Sequence, residues 1–232
     1  MTILYEDDYL FAINKPRDMH VHPTKMSRGE TSVQAILEEE RGIQLFPAHR
    51  LDRPVGGILL IAKERETASA LGLAVRSKDS MDKRYLCVVR GWMEGAGVED
   101  SPMRQAPGKP EREASTRWRG LATAEAPWSD GVFPTSRYSL VECILETGRF
   151  HQIRRHMARS NHPILGDIPH GDNPRNKIWR EQTGLEGMML RAHRLSFIHP
   201  KTGERISLTA PPDERFLQVA KRFSWEESLV LE

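Results

Sequence analysis

His49-Arg50-Leu51-Asp52-Arg53-Pro54-Val55-Gly56-Gly57, running straight into Ile58-Leu59-Leu60-Ile61-Ala62, is the stretch on which the fold turns. A continuous apolar run after a glycine pair reads as a strand buried on both faces, because a half-buried strand would alternate. If the chain is already extended at Ala48, Arg50 and Asp52 point to one face and His49 and Leu51 to the other. Arg53 follows at once. A carboxylate between two guanidiniums is favoured in its charged form. Such a group can attack or take a proton, and it is a poor proton donor at neutral pH. Pro54 excludes helix and stiffens the turn, while Gly56 and Gly57 permit positive φ and close approach by another molecule. The same residues also fit a plainer role, in which Asp52 orders the turn by pairing with Arg50 or Arg53.

Outward toward the N-terminus, residues 3–5 and 9–14 read as strands about the turn Glu6-Asp7-Asp8, and Lys15-Pro16 ends the second of them. His20 and His22 lack a third ligand nearby and read as loop histidines. Thr31-Ser32 before Val33, Ile36 and Leu37 predicts an N-capped amphipathic helix closing at Gly42. In the other direction, Ala68, Leu71, Ala74 and Val75 form a helical stripe within 64–78. Residues 83–91 read as a strand with Tyr85, Cys87 and Val89 on one face. A tyrosine there either packs with its hydroxyl in water or serves as a stacking platform for a base.

Residues 101–120 hold three prolines, two glycines and five cations, Arg104, Lys109, Arg112, Arg117 and Arg119, which predicts a mobile basic loop. A strand over 138–146 leads through Thr147-Gly148-Arg149 into a short helix over 150–159, its apolar stripe formed by Phe150, Ile153 and Met157. Arg154 lies beside the Ile153 edge. Burying it calls for a partner, for which Asp52 is the candidate; a solvated helical arginine is the alternative. The segments 162–167 and 170–172 read as loop-like, residues 175–180 add cations beside Trp179, 190–199 and 206–209 read as strands, and 213–223 reads as a closing helix with Phe216, Val219, Ala220 and Phe223 inward. Strands outnumber helices without alternating with them, which argues an α+β class.

The 232 residues suit a single domain, residues 1–232, with no linker or repeat. No apolar run reaches the roughly 20 residues of a membrane span, and the acidic start has no signal-type segment. Cys87 and Cys143 fall inside strands and read as buried free thiols in a reducing compartment, so a cytoplasmic protein is expected. Net charge is only +2. Its distribution says more: between Glu146 and Asp167 there is no acid, yet Arg149, Arg154, Arg155 and Arg159 fall there with His151 and His156. That suits a polyanionic ligand, or equally a solvated helix face. Phosphate-loop, zinc, Cys-x-x-Cys and Gly-x-Ser-x-Gly patterns are absent. One activated carboxylate, a Tyr-bearing strand, an arginine helix and basic loops remain, a set suited to cofactor-free chemistry on a polyanion.

These residues also carry a family likeness. His49-Arg50-Leu51-Asp52, Lys83-Arg84-Tyr85 and Thr147-Gly148-Arg149-Phe150-His151-Gln152-Ile153-Arg154-Arg155-His156 resemble, in order, three motifs of the RluA-type pseudouridine synthases. His162-Pro163-Ile164-Leu165-Gly166-Asp167 and residues 190–200 fit as well, and the likeness runs from Asn14-Lys15-Pro16 onward. The resemblance implies a pseudouridine synthase fold, a mixed and largely antiparallel sheet with a central active-site cleft, flanked by helices and loops, without an S4 domain. It implies Asp52, Tyr85 and Arg154 as catalytic residues, with Arg154 pairing Asp52. Arg50, Arg53, Lys83, Arg149 and Arg155 would be substrate contacts. No metal or cofactor is implied, and the expected chain is a monomer with RNA as its partner, no membrane and no obligatory protein partner. Arg53-Pro54, Phe133-Pro134-Thr135-Ser136-Arg137-Tyr138 and His170-Gly171-Asp172 resemble the tRNA-modifying members, which implies the uridine at position 65 of the tRNA T-stem. Other members modify ribosomal RNA. Two departures stand out: Val55-Gly56-Gly57 where Thr-Ser-Gly is common, and Arg191 where a His is common. A non-catalytic RNA-binding module and a nucleoside hydrolase or glycosidase are the rival classes, and the second normally needs two placed carboxylates.

Overall fold

Every residue of the strand Gly56–Ala62 is buried. In the computed structural model, which describes residues 1–23, 31–75, 80–106 and 108–230, the chain forms two compact units. The first comprises Met1–Lys83 with Arg191–Ala210, and the second Arg84–Leu190 with Pro211–Glu232.

In the first unit β1 (Thr2–Glu6) and β2 (Leu10–Lys15) form a hairpin. Helix α1 (Val33–Arg41) follows. Ser32 caps it by accepting from the Ala35 N–H, and Gly42 ends it in the left-handed region at φ 66°, both as the sequence predicts. β3 (Phe46–Pro47) and β4 (Gly56–Ala62) come next, then α2 (Arg65–Ala74). Positions 76–78 of the helix expected over 64–78 lie outside the described residues. β4 is covered on both edges, by antiparallel β2 on one side and by β3 and parallel β11 (Leu190–Ile198) on the other. That pairing satisfies its backbone, and burial of side chains on both faces accounts for its unbroken apolar run. β12 (Arg205–Thr209) pairs with β11. Leu10, Ala12, Ile58, Leu60, Leu71, Met81, Leu195 and Phe197 form the core. No strand covers residues 48–55. The chain bends at Ala48 and His49 and turns at Arg53 and Pro54, with the Val55 N–H donating to the Asp52 carbonyl at 3.0 Å.

β5 (Met81–Arg90) starts in the first unit and continues into the second. Within the second unit it pairs with β10 (Ser136–Leu145), which pairs with β9 (Thr116–Ala126), which pairs with β6 (Ala96–Glu99), all antiparallel. The segment expected to be a mobile loop instead holds a small hairpin, β7 (Met103–Arg104) with β8 (Glu111–Arg112), and the start of β9. Helix α3 (Gln152–Arg159) follows β10. Helix α4 (Asn173–Thr183), capped by Asp172, takes in residues 175–180, which carry no helical stripe in the sequence. α5 (Glu214–Phe223), capped by Asp213, and the short α6 (Glu226–Leu229) end the chain. Phe223 meets Tyr138 at 5.7 Å between ring centroids, and Tyr138 meets Trp179 edge-on at 4.9 Å. Cys87 and Cys143 are free and buried, as expected, their sulfurs 3.8 Å apart. No described helix is long and apolar enough to cross a membrane.

Candidate active site

Asp52 sits half-buried in the turn before β4. Three features shape that turn. Lys15, at the end of β2, is 1% exposed, and its ammonium donates to the carbonyls of Pro16 and Met19 at 2.8 Å and of Arg53 at 3.3 Å. Three acceptors use all three donors of the ammonium, so Lys15 staples the 16–19 loop to the residue after Asp52. Burial pulls the Lys15 ammonium down to about 8, while the Asp18 and Asp52 carboxylates pull the other way. Second, the His49 Nε2 turns inward and accepts the Leu60 N–H at 3.1 Å, so that nitrogen carries no proton. Burial and the Lys83 charge push its pKa down to about 4, which keeps the ring neutral. Third, Gly57 has φ 113°, and a Cβ there would lie 1.9 Å from the Ala192 carbonyl oxygen. Only glycine lets β4 approach β11 this closely. The Arg191 guanidinium lies against Gly56 and donates to Asn14 Oδ1 at 2.9 Å. The two departures from the family pattern therefore pack together, with an arginine occupying space that a glycine leaves.

Arg50 and Arg53 are exposed. Lys83 is not. It is 7% exposed, and its ammonium donates to the Val75 carbonyl at 2.7 Å, just past the end of α2. The sequence reading of Lys83 as a substrate cation is corrected to a helix-capping one, because an ammonium at a helix C-terminus satisfies a leftover carbonyl and meets the negative end of the helix dipole.

In the second unit Tyr85 is half-buried on β5, opposite Cys143 of β10. Arg154 is 5% exposed, so the partner its burial calls for must exist. Asp167, itself 1% exposed, supplies it as a fork, Nε to Oδ2 at 2.7 Å and Nη2 to Oδ1 at 2.8 Å. Sequence reasoning missed Asp167 in that role. The signal was the acid closing His162-Pro163-Ile164-Leu165-Gly166-Asp167, the first after twenty residues without one. α3 is set by Gln152, whose Oε1 accepts from the Thr147 hydroxyl and the Arg149 N–H while its amide donates to the Ser115 carbonyl and Thr116 Oγ1. His156 bridges Thr116 Oγ1 and the Ser101 carbonyl at 2.8 and 3.1 Å, and burial lowers its pKa. Arg149 donates to the Glu113 carbonyl and Arg155 to the Arg104 carbonyl. Both half-exposed cations thus spend a donor on tying down the basic segment. Phe150, expected in the apolar stripe of the helix, is 50% exposed. His151 takes φ 53°, and the helix starts only at Gln152, which turns Phe150 off the buried face.

The first unit thus presents a half-buried carboxylate in a glycine-backed turn, and the second presents a tyrosine on a sheet strand and a forked, buried arginine. Among the described residues no cluster of three or more His, Cys, Asp or Glu could hold a metal. The family model for RNA pseudouridylate synthase matches residues 9–159, and the chain belongs to that family of isomerases. Curated relatives named tRNA pseudouridine synthase C are similar along the whole length. The one from Vibrio parahaemolyticus is 40% identical, over 99% of this chain and 98% of that protein. The one from Pasteurella multocida is 41% identical, over 97% of each. The fold is that of human RNA pseudouridylate synthase domain containing 4, with a TM-score of 0.71 at 23% identity, covering 95% of this chain and 92% of that one.

Proposed function

We propose that this chain isomerises uridine to pseudouridine in tRNA, at the uridine at position 65 of the T-stem. The observation that carries the tRNA reading is end-to-end similarity to proteins named tRNA pseudouridine synthase C, with His49-Arg50-Leu51-Asp52 in place. The reaction breaks the bond from ribose C1′ to uracil N1, turns the base and joins C5 to C1′. The C5 proton leaves and N1 gains one, so no other reactant is consumed. In a duplex the bond is out of reach, and extruding the base costs a few kcal/mol. Asp52 is the carboxylate that attacks or takes a proton. Arg50, exposed on the same turn, fills the vacated stack. Tyr85 stacks on the extruded uracil and assists loss of the C5 proton. Arg154, aimed by Asp167, is the fixed guanidinium of the site. Exposed Arg53 and the half-exposed Arg149 and Arg155 meet phosphates. The chain acts as a cytoplasmic monomer.

The test is release of tritium from C5-labelled uridine in a tRNA transcript, followed by mapping of the product. Release with one new pseudouridine at the T-stem position is expected. Release from a ribosomal RNA fragment but not from tRNA would favour the ribosomal reading. Tight RNA binding without release would favour a binding module, and free uracil would indicate a glycosidase.

A further inference from the structure

We infer that Phe150 is a stacking platform for an unpaired base of the RNA substrate, next to the extruded uridine in function and distinct from Tyr85. The inference rests on the reading of the substrate as RNA and adds a binding residue to it.

Four observations converge on Phe150. It is a large apolar side chain 50% exposed, on a segment whose helical periodicity would have buried it. Its ring is ordered from behind: it lies on the His151 imidazole with centroids 3.7 Å apart and planes 21° from parallel. One face is therefore backed, and the exposure belongs to the rest of the ring. His151 is itself fixed. It is a non-glycine residue at φ 53°, a conformation that costs energy and persists only where its surroundings impose it. His151 Nδ1 and His170 Nε2 share a hydrogen bond of 2.8 Å, and the His170 N–H donates to Asp167 Oδ1 at 3.3 Å. Asp167 is the residue that forks Arg154. A continuous set of contacts thus runs from the buried guanidinium to the exposed ring, and Phe150 is presented in a set orientation.

The surrounding charge selects the occupant. Phe150 stands in a stretch with Arg149, Arg154, Arg155 and Arg159 and no acid from residue 147 to 166. An exposed apolar ring in a stretch of sequence rich in arginine and free of acids is complementary to a nucleotide, which offers a flat π face and a phosphate together. A ring already ordered also loses little freedom on stacking.

The test uses the full chain and an unmodified tRNA transcript, with Phe150→Ala, Phe150→Leu and Phe150→Trp compared for dissociation constant, its salt dependence and single-turnover rate. Stacking predicts that Ala and Leu each weaken binding about tenfold or more, that Trp binds as Phe does, and that the salt slope stays that of the wild type, since no phosphate contact is lost. Urea midpoints should stay close together, because the side chain is half out of the fold. Leu binding as well as Phe would overturn the inference by showing that apolar bulk suffices, and so would unchanged binding by Ala. A wild-type chain that binds the transcript but forms no pseudouridine defeats the proposed reaction and leaves the Phe150 comparison decisive for stacking. A wild-type chain that binds no RNA defeats both.

Discussion

The two segments that carry the candidate chemistry are held in opposite ways. The Asp52 turn is held by the backbone. A buried lysine grips three carbonyls, a histidine accepts one backbone N–H, and a glycine at positive φ lets one strand lie against another. The Arg154 segment is held by side chains: an Asp fork on the arginine, a glutamine amide with all its hydrogen bonds made, and a pair of histidines. The difference lies in what each must present. A turn displaying a small carboxylate needs its main chain fixed. A helix displaying a long, five-donor guanidinium needs the far end of the side chain fixed.

This contrast can be broken most sharply at Asp167. Asp167→Ala strips a buried guanidinium of its fork partner, and a loss of about 3–5 kcal/mol is expected by urea denaturation. A loss under about 1 kcal/mol would mean the fork does not hold Arg154. On the backbone side, Gly57→Ala adds a Cβ 1.9 Å from the Ala192 oxygen at φ 113°. Its expected cost is about 2–4 kcal/mol, with Asp52 itself untouched. A neutral outcome would show that β4 and β11 have slack there. Smaller still is the pH dependence tied to His49. Its pKa falls from 6.5 to about 4 on folding, so the unfolded chain takes up the proton first. The stability this group contributes is complete above about pH 6.5 and is lost as pH falls toward 4, by at most about 3 kcal/mol. His49→Gln should flatten that acid limb in denaturation curves measured between pH 4 and 7. An unchanged slope would place the acid sensitivity elsewhere.

The comparison also explains what could be read in advance. The apolar run of β4, the Ser32 and Gly42 caps of α1 and the Asp213 cap of α5 are local signals, and each became the expected element. α4 was missed although Asp172, Pro174 and Gly184 mark its ends, because only Trp179 is buried along it and no stripe shows. The start of β9, residues 116–120, was read as loop because its arginines hide a strand with mostly half-buried residues. In the site, the motif residues were legible and their holders were not. Asp167 and Lys15 act through tertiary contacts that spacing does not encode. Phe150 left its stripe because one residue, His151, entered the left-handed region, and Lys83 was read as a surface cation because nothing in Lys83-Arg84-Tyr85 says that its ammonium meets the end of α2.

The whole account depends on the Asp52 carboxylate, and one measurement addresses it directly: tritium release from C5-labelled uridine in a tRNA transcript by the Asp52→Asn protein, beside its affinity for the same transcript. The account predicts a fall in rate of roughly a thousandfold or more with affinity within a few-fold of wild type. An Asp52→Asn protein that releases tritium at the wild-type rate would contradict it.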